Sequence, residues 1–317
     1  MKLTVLLMFF LLAFAPLRQA QTTGGNFLNR QFSLAGEHSP ETQYFIMESQ
    51  MITYALNGVR QGVDIFRLYL KCTPAKLSGK AGNEYTCMKF TVQLASSPEV
   101  EIPSLKGWSY MFNTIPTGMD EKGQVFGIDH AKFNSVTDAN GKAVALDKAY
   151  HVYNAFIDFH AITGVFTEKA YGGKGIQDLT AIGQKIVHAA ANSEAPVNLE
   201  ENIEKGSIFK NGLVTLEFKG LSLVNGKECA LIEYDSGESS FKMKMRPMPE
   251  MVVNTVGSSH YKGDIYKDLA GNWVQKANLF EMVVSETDVP SFGKVNSVIE
   301  RSITIKNVDE KEMPGLD

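Results

Sequence analysis

The chain predicts an α+β fold, mostly antiparallel β with a two-helix insert between two strand-rich regions. Three observations carry this. Apolar and polar residues alternate through much of residues 40–135 and again through 206–308, the period of a strand with one buried face. Between 147 and 192 the spacing lengthens to three or four residues, as on a helix. Asn225-Gly226 separates two alternating runs, and both residues tolerate the positive φ of a tight hairpin turn.

The first 20 residues stand apart. Lys2 precedes an apolar run from Val5 to Pro16, and Arg18-Gln19-Ala20 ends in a small residue before Gln21. This is the pattern of a cleaved secretory signal peptide, and the run is shorter than the about 20 apolar residues a membrane span needs. The mature chain is expected to begin near Gln21 and to be exported, periplasmic or secreted. Cleavage removes Lys2 and Arg18 and no acid, making the formal net charge of −4 more negative by two. An acidic chain argues against nucleic acid as a partner, since such affinity comes from clustered Lys and Arg. No later segment is apolar for long enough to span a membrane, and there is no Asn-x-Ser/Thr sequon.

Tyr44 to Leu56 reads as a strand. Asp64 to Cys72 and Tyr85 to Leu94 form a hairpin-like pair around the polar stretch Ser78 to Glu84, expected to be a long loop. Export permits disulfides, and Cys72 and Cys87 flank a loop whose closure would add roughly 3 kcal/mol. Cys87 falls opposite the apolar set Met88, Phe90, Val92, Leu94, so a bridge there requires a bulge or wide loop. Cys229 is left as a buried thiol.

In the first expected helix, Ala149, Val152, Tyr153, Phe156, Ile157 and Phe159 share one side, with His151, Asn154 and Asp158 opposite. Asp147 can cap it and Gly164 can end it. The second spans Gln177 to Ala191, from Leu179, Ile182, Ile186 and Ala190. The alternating region from 206 then carries the Asn225-Gly226 hairpin and strands at Ser240 to Arg246, Tyr261 to Tyr266, Trp273 to Val284 and Val295 to Ile305. Residues 309–317 read as an acidic, frayed tail.

No motif fixes a reaction or calls for a cofactor. Asp129, His130 and His160 are the candidate metal ligands, but two helical His ligands need i, i+4 spacing, and the wheel puts His160 in the apolar stripe. A core histidine is the simpler role. Lys242, Lys244 and Arg246 alternate with Phe241, Met243 and Met245, giving a strand with one cationic face suited to an anionic ligand, a lipid headgroup or an acidic envelope polymer; an edge strand protected from aggregation has the same letters.

Ile232-Glu233-Tyr234-Asp235-Ser236-Gly237 resembles the strand and Asp-Ser/Thr-Gly loop of aspartic proteases. Their mechanism needs two carboxylates, and the tripeptide occurs once here. The element order is also similar, at the level of fold alone, to exported half-barrel lipoprotein carriers, whose sheet and helices enclose an acyl chain. The expectation is thus a non-enzymatic exported protein, an interaction module or a carrier of an apolar or anionic ligand, with an exported metal-dependent or acid hydrolase as the alternative.

Overall fold

Period-two alternation does become strand along most of the chain. The computed structural model describes residues 30–77, 80–95, 97–113, 124–133, 136–144, 146–195, 204, 206–248 and 250–314. The apolar run and the expected cleavage point near Gln21 lie outside them. Gln31–Asp317 cluster as one compact unit.

The strands are β1 (Gln43–Tyr54), β2 (Arg60–Leu77), β3 (Lys80–Leu94), β4 (Val100–Glu101), β5 (Ser109–Met111), β6 (Lys185–Val187), β7 (Glu194–Ala195), β8 (Ile208–Lys210), β9 (Thr215–Val224), β10 (Lys227–Met248), β11 (Met251–Asp268), β12 (Val274–Val289) and β13 (Gly293–Val308). One antiparallel sheet runs β3-β2-β1-β13-β12-β11-β10-β9. β4 and β5 extend β3, β6 extends β9, and β8 with β7 continues the edge along β10. Because β1 pairs with β13 over eleven registered positions, the two strand-rich regions belong to one sheet. Asn225 and Gly226 have φ of 50° and 75° and join β9 to β10 with Val224 facing Lys227, the two-residue turn both side chains favour. The polar stretch Ser78 to Glu84 is not a long loop: pairing resumes at Leu77 and Lys80, because backbone groups gain more from the ladder than from a solvated loop.

The single α-helix among the described residues, α1 (Leu146–His160), continues into one π turn, Ala161–Val165. Val152, Phe156 and Phe159 are buried. Gly164 does not stop the helix. A Cβ there would lie 2.5 Å from the Phe112 ring, so glycine is needed for close packing. Asp147 falls within the first turn rather than before it.

The second helix is absent, which corrects the expected two-helix insert. Residues 176–178 form a single 3₁₀ turn, and Lys185–Val187 is a strand on β9. Leu179 and Ile186 are buried as the spacing suggested, but Gly183 has a φ of 86° and its N–H, like that of His188, bonds to a carbonyl of the 214–218 segment. The free edge of β9 offers extended chain more hydrogen bonds than an isolated helix of this length retains. In the acidic tail, Glu310–Glu312 makes one 3₁₀ turn, and the Tyr44 hydroxyl donates to Glu310 Oε1 at 2.5 Å.

Candidate functional site

One charged row divides the face of the sheet that α1 packs on. Asp64, Met51, Arg301, Glu281 and Tyr261 are successive cross-strand partners on β2, β1, β13, β12 and β11. Arg301 and Glu281 take inward positions between Ile299 and Ile303 and between Leu279 and Val283. They are about as buried as core residues, each 5 % exposed. A charge at such a position must be paired, and here it is. Arg301 Nε donates to Glu281 Oε2 at 2.7 Å, Nη1 donates to Asp158 Oδ2 on α1 at 2.5 Å, and Nη2 donates to the Tyr261 hydroxyl. At the other end of the row Lys148 Nζ donates to Asp64 Oδ2 at 2.5 Å. Two ion pairs therefore fasten α1 across the sheet.

The row carries more acid than base: Asp64, Glu281 and Asp158 against Lys148 and Arg301. Burial raises the Asp158 carboxyl to about 6, with Arg301 opposing the rise and Glu281 adding to it. Burial alone would lower the Arg301 guanidinium, but Asp158 and Glu281 hold it well above its usual range. Asp158 was expected on the side of the helix away from the apolar stripe. It is there, and that side faces Arg301.

Below the row the inner face is apolar and sealed. Phe66, Ile303 and Leu279, then Leu68, Met47, Ile305, Ala277 and Ile265, are buried in the core. Above it, successive partners are Gly62, Thr53, Ile299, Val283, Ser259 and Ser239, then Ser297, Ser285, Gly257 and Phe241, then Val295, Thr287, Thr255 and Met243. Val283, Ile299, Phe241 and Met243 are only half-buried, Val295 is exposed, and none belongs to the core. Hydroxyls pair along this face, Ser285 with Ser297 at 2.8 Å and Thr255 with Thr287 at 3.0 Å. Ser239 Oγ accepts the Gly212 N–H at 3.2 Å. Ser259 is 3 % exposed, and its Oγ has no hydrogen-bond partner. A Cβ on Gly257 would lie 2.5 Å from Phe241 Cζ, so the Phe241 ring leans across β11.

The candidate metal ligands are not brought together. Among the described residues no three His, Cys, Asp or Glu side chains form a metal-sized group. His130 Nε2 bonds the Tyr153 hydroxyl at 2.6 Å, and exposed Asp129 accepts the Ala131 N–H at 3.0 Å. His160 is fully buried and shares a 2.7 Å hydrogen bond with the Tyr110 hydroxyl through Nε2, while Nδ1 has no partner. The rings of Tyr85, Tyr110, Phe112, Phe126 and Phe159 surround it, and burial lowers its pKa to about 3. These rings come mainly from β3, β5 and the following segment, not from Val152, Tyr153 and Phe156, the helix neighbours a wheel suggests.

Lys242, Lys244 and Arg246 do lie on one face of β10, the outer one. Two of them are already engaged: Lys244 Nζ lies 2.6 Å from Glu204 Oε2, and Arg246 pairs with Glu204 as well. The Asp-Ser-Gly string forms a β-bulge with Gly237 at a φ of 59°. Asp235 Oδ1 accepts the Gly237 N–H at 2.8 Å and shares a hydrogen bond with His260 Nε2 at 2.7 Å, which accounts for the letters as a turn and a cross-strand contact.

The expected bridge between Cys72 and Cys87 is not formed; all three cysteines are free and buried. The anticipated bulge is present, with Met88 as the extra residue between Tyr69↔Lys89 and Leu70↔Cys87. It turns Cys87 inward but leaves it opposite Leu70, while Cys72 faces Tyr85. Diagonal neighbours stand about 7–8 Å apart, beyond the roughly 3.5–4.5 Å between Cβ atoms in a disulfide. Burial pushes both thiols up to about 12.

A second buried cluster joins the far end of α1 to β11. Lys267 Nζ, 1 % exposed, donates to the carbonyls of Thr167 and Asn272 at 2.7 and 2.8 Å. Burial lowers it to about 8 against Glu168 and Asp268 and raises Glu168 to about 7 against Lys267. His38 stacks on Trp273 at 3.8 Å with its Nε2 4.0 Å from Glu168.

Arg301 and Tyr261 belong to no motif in the sequence. A signal was present: Arg301 interrupts the apolar face that Val295, Ile299, Ile303 and Ile305 mark out, and Glu281 interrupts that of Leu279 and Val283 on the next strand.

No protein-family model matches the chain, and no curated protein matches it. Among solved structures it is similar to a mutant of Rh. blastica porin, at 9 % identity and a TM-score of 0.20 over 84 % of this chain and all of that one. It is also similar to a loop-deletion mutant of OmpT, an outer membrane protein of Vibrio cholerae, at 8 % identity and a TM-score of 0.16 over 84 % and 99 % of the two chains. Pseudomonas aeruginosa OpdQ aligns at 7 % identity and a TM-score of 0.17 over 86 % and 99 %.

Proposed function

We propose that the protein is exported, loses residues 1–20, and serves as a non-enzymatic carrier of an apolar ligand that lies on the inner face above the charged row. One observation carries the reading. Val283, Ile299, Phe241, Met243 and Val295 continue the same face as the core residues Leu279, Ile303 and Ile265, yet stand outside the core. Leaving these side chains in water forfeits about 25 cal/mol for each Å² of apolar area that a ligand could cover. The row beneath gives the face a fixed floor, because Arg301 ties β13, β12, β11 and α1 together. An anionic ligand has less support: of the three outer cations of β10, two already bind Glu204.

Fluorescence of the neutral apolar probe N-phenyl-1-naphthylamine tests this with delipidated mature protein. Saturable enhancement is expected, reduced at least tenfold by Val283→Glu with the unfolding midpoint little changed. Absence of saturable binding, or binding indifferent to Val283→Glu, refutes carriage at this face. Amino-terminal sequencing of exported material should read from near Gln21; retention of Met1 refutes the cleavage.

A further inference from the structure

We infer that the ligand has an uncharged, hydrogen-bonding head, as an acylglycerol does, and that this head docks on Ser259 at the base of the upper face; the inference rests on the carrier reading. Ser259 is the point where the apolar face meets the charged row. It follows Gly257 and precedes Tyr261 on the inward side of β11, between Val283 on β12 and Ser239 on β10. A hydroxyl this buried is nearly always hydrogen-bonded. The neighbouring hydroxyls are, Ser239 to Gly212, Ser285 to Ser297 and Thr255 to Thr287. Ser259 Oγ alone among them has no partner.

Charge selects the kind of head. Asp158 and Glu281 face a single guanidinium, and the Tyr261 hydroxyl beside Ser259 is already held by Arg301. A carboxylate or phosphate placed at Ser259 would meet this surplus of acid with no cation left to receive it, and a buried like-charge contact is costly. A hydroxyl or ester carbonyl carries no such penalty and supplies the missing bond. Its acyl chain then lies over Val283 on β12 and Ile299 on β13 and continues toward Val295.

Displacement of N-phenyl-1-naphthylamine from the mature protein by monoolein and by oleate at pH 8 tests the inference, the two sharing one acyl chain. Monoolein should displace the probe at concentrations at least tenfold below oleate. Ser259→Ala should weaken monoolein about fivefold, the worth of one hydrogen bond, and leave the probe's own affinity unchanged. Asp158→Asn, which removes the surplus charge, should narrow the gap between the two lipids. Oleate binding as tightly as monoolein, or monoolein indifferent to Ser259→Ala, overturns the uncharged-head assignment while carriage stands. A wild-type protein that does not bind the probe overturns both. Ligand-free protein that dimerises and binds neither lipid assigns the face to a second copy of the chain.

Discussion

The same inner face of the same strands behaves differently on the two sides of Arg301. Below it, Ile303, Leu279 and Phe66 are closed off in the core. Above it, Ile299 and Val283, on the same strands as Ile303 and Leu279 but two residues to the other side of Arg301 and Glu281, are only half-buried among serines and threonines. Strand propensity does not separate the halves, since β-branched residues fill both. What separates them is the layer on top: α1 lies along the row, held to Asp64 and Arg301, and its apolar stripe serves the lower half. An inward apolar position is therefore a core position only where another element covers it.

The strongest way to break this division is to remove the cation at the boundary. Arg301→Met would leave Asp158 and Glu281 buried without their counter-charge, and losing one partner of a buried pair costs about 3–5 kcal/mol. Urea unfolding should show that loss. A drop below about 1 kcal/mol would mean that the row does not fasten α1.

Matched truncations sharpen the contrast. Ile303→Ala, in the core, should cost about 2–5 kcal/mol. Ile299→Ala, one step above the row, should cost less than about 1 kcal/mol in ligand-free protein. Equal losses would show the upper face to be as well packed as the lower.

Acid discriminates the lower half from the boundary with a smaller effect. His160 stays neutral in the native chain because burial holds it at about 3, whereas in the unfolded chain it takes up a proton below about 6.5. The unfolded state thus binds more protons from pH 6.5 down to about 3, and stability falls over that window. At pH 5 the cost is about 2 kcal/mol, since each pH unit of such a gap is worth about 1.4 kcal/mol. Asp158 acts in the opposite sense: raised to about 6, it gains its proton in the native state first and lends stability as pH falls from 6 toward its unfolded value. Unfolding midpoints at pH 7.5 and 5 should converge in His160→Leu and diverge in Asp158→Asn; unchanged differences would contradict these assignments.

On the upper face, Ser285→Ala breaks only the bond to Ser297 and should shift stability by about 1 kcal/mol or less, as a half-exposed hydrogen bond is worth no more. A larger loss, seen in the same urea titrations, would make the hydroxyl ladder structural.

Local patterns alone settled several elements. Asn225-Gly226 made its hairpin because both residues accept positive φ. The stripe from Val152 to Phe159 made a helix with that side buried, and alternation placed Ile299, Ile303 and Ile305 on one face of β13, because periodicity reports which side chains share a side. The tertiary structure decided what each side meets. Asp158 sits opposite the stripe and is nonetheless largely covered, its side chain 13 % exposed, since β13 brings Arg301 to it from 143 residues away. Residues 177–191 carry helical spacing but form turns around the short strand Lys185–Val187, because the open edge of β9 supplies hydrogen bonds there. Cys87 turns inward by a bulge yet faces Leu70 instead of Cys72. In each case the missing fact is a partner distant in sequence, and a periodicity, which is a local property, cannot name it.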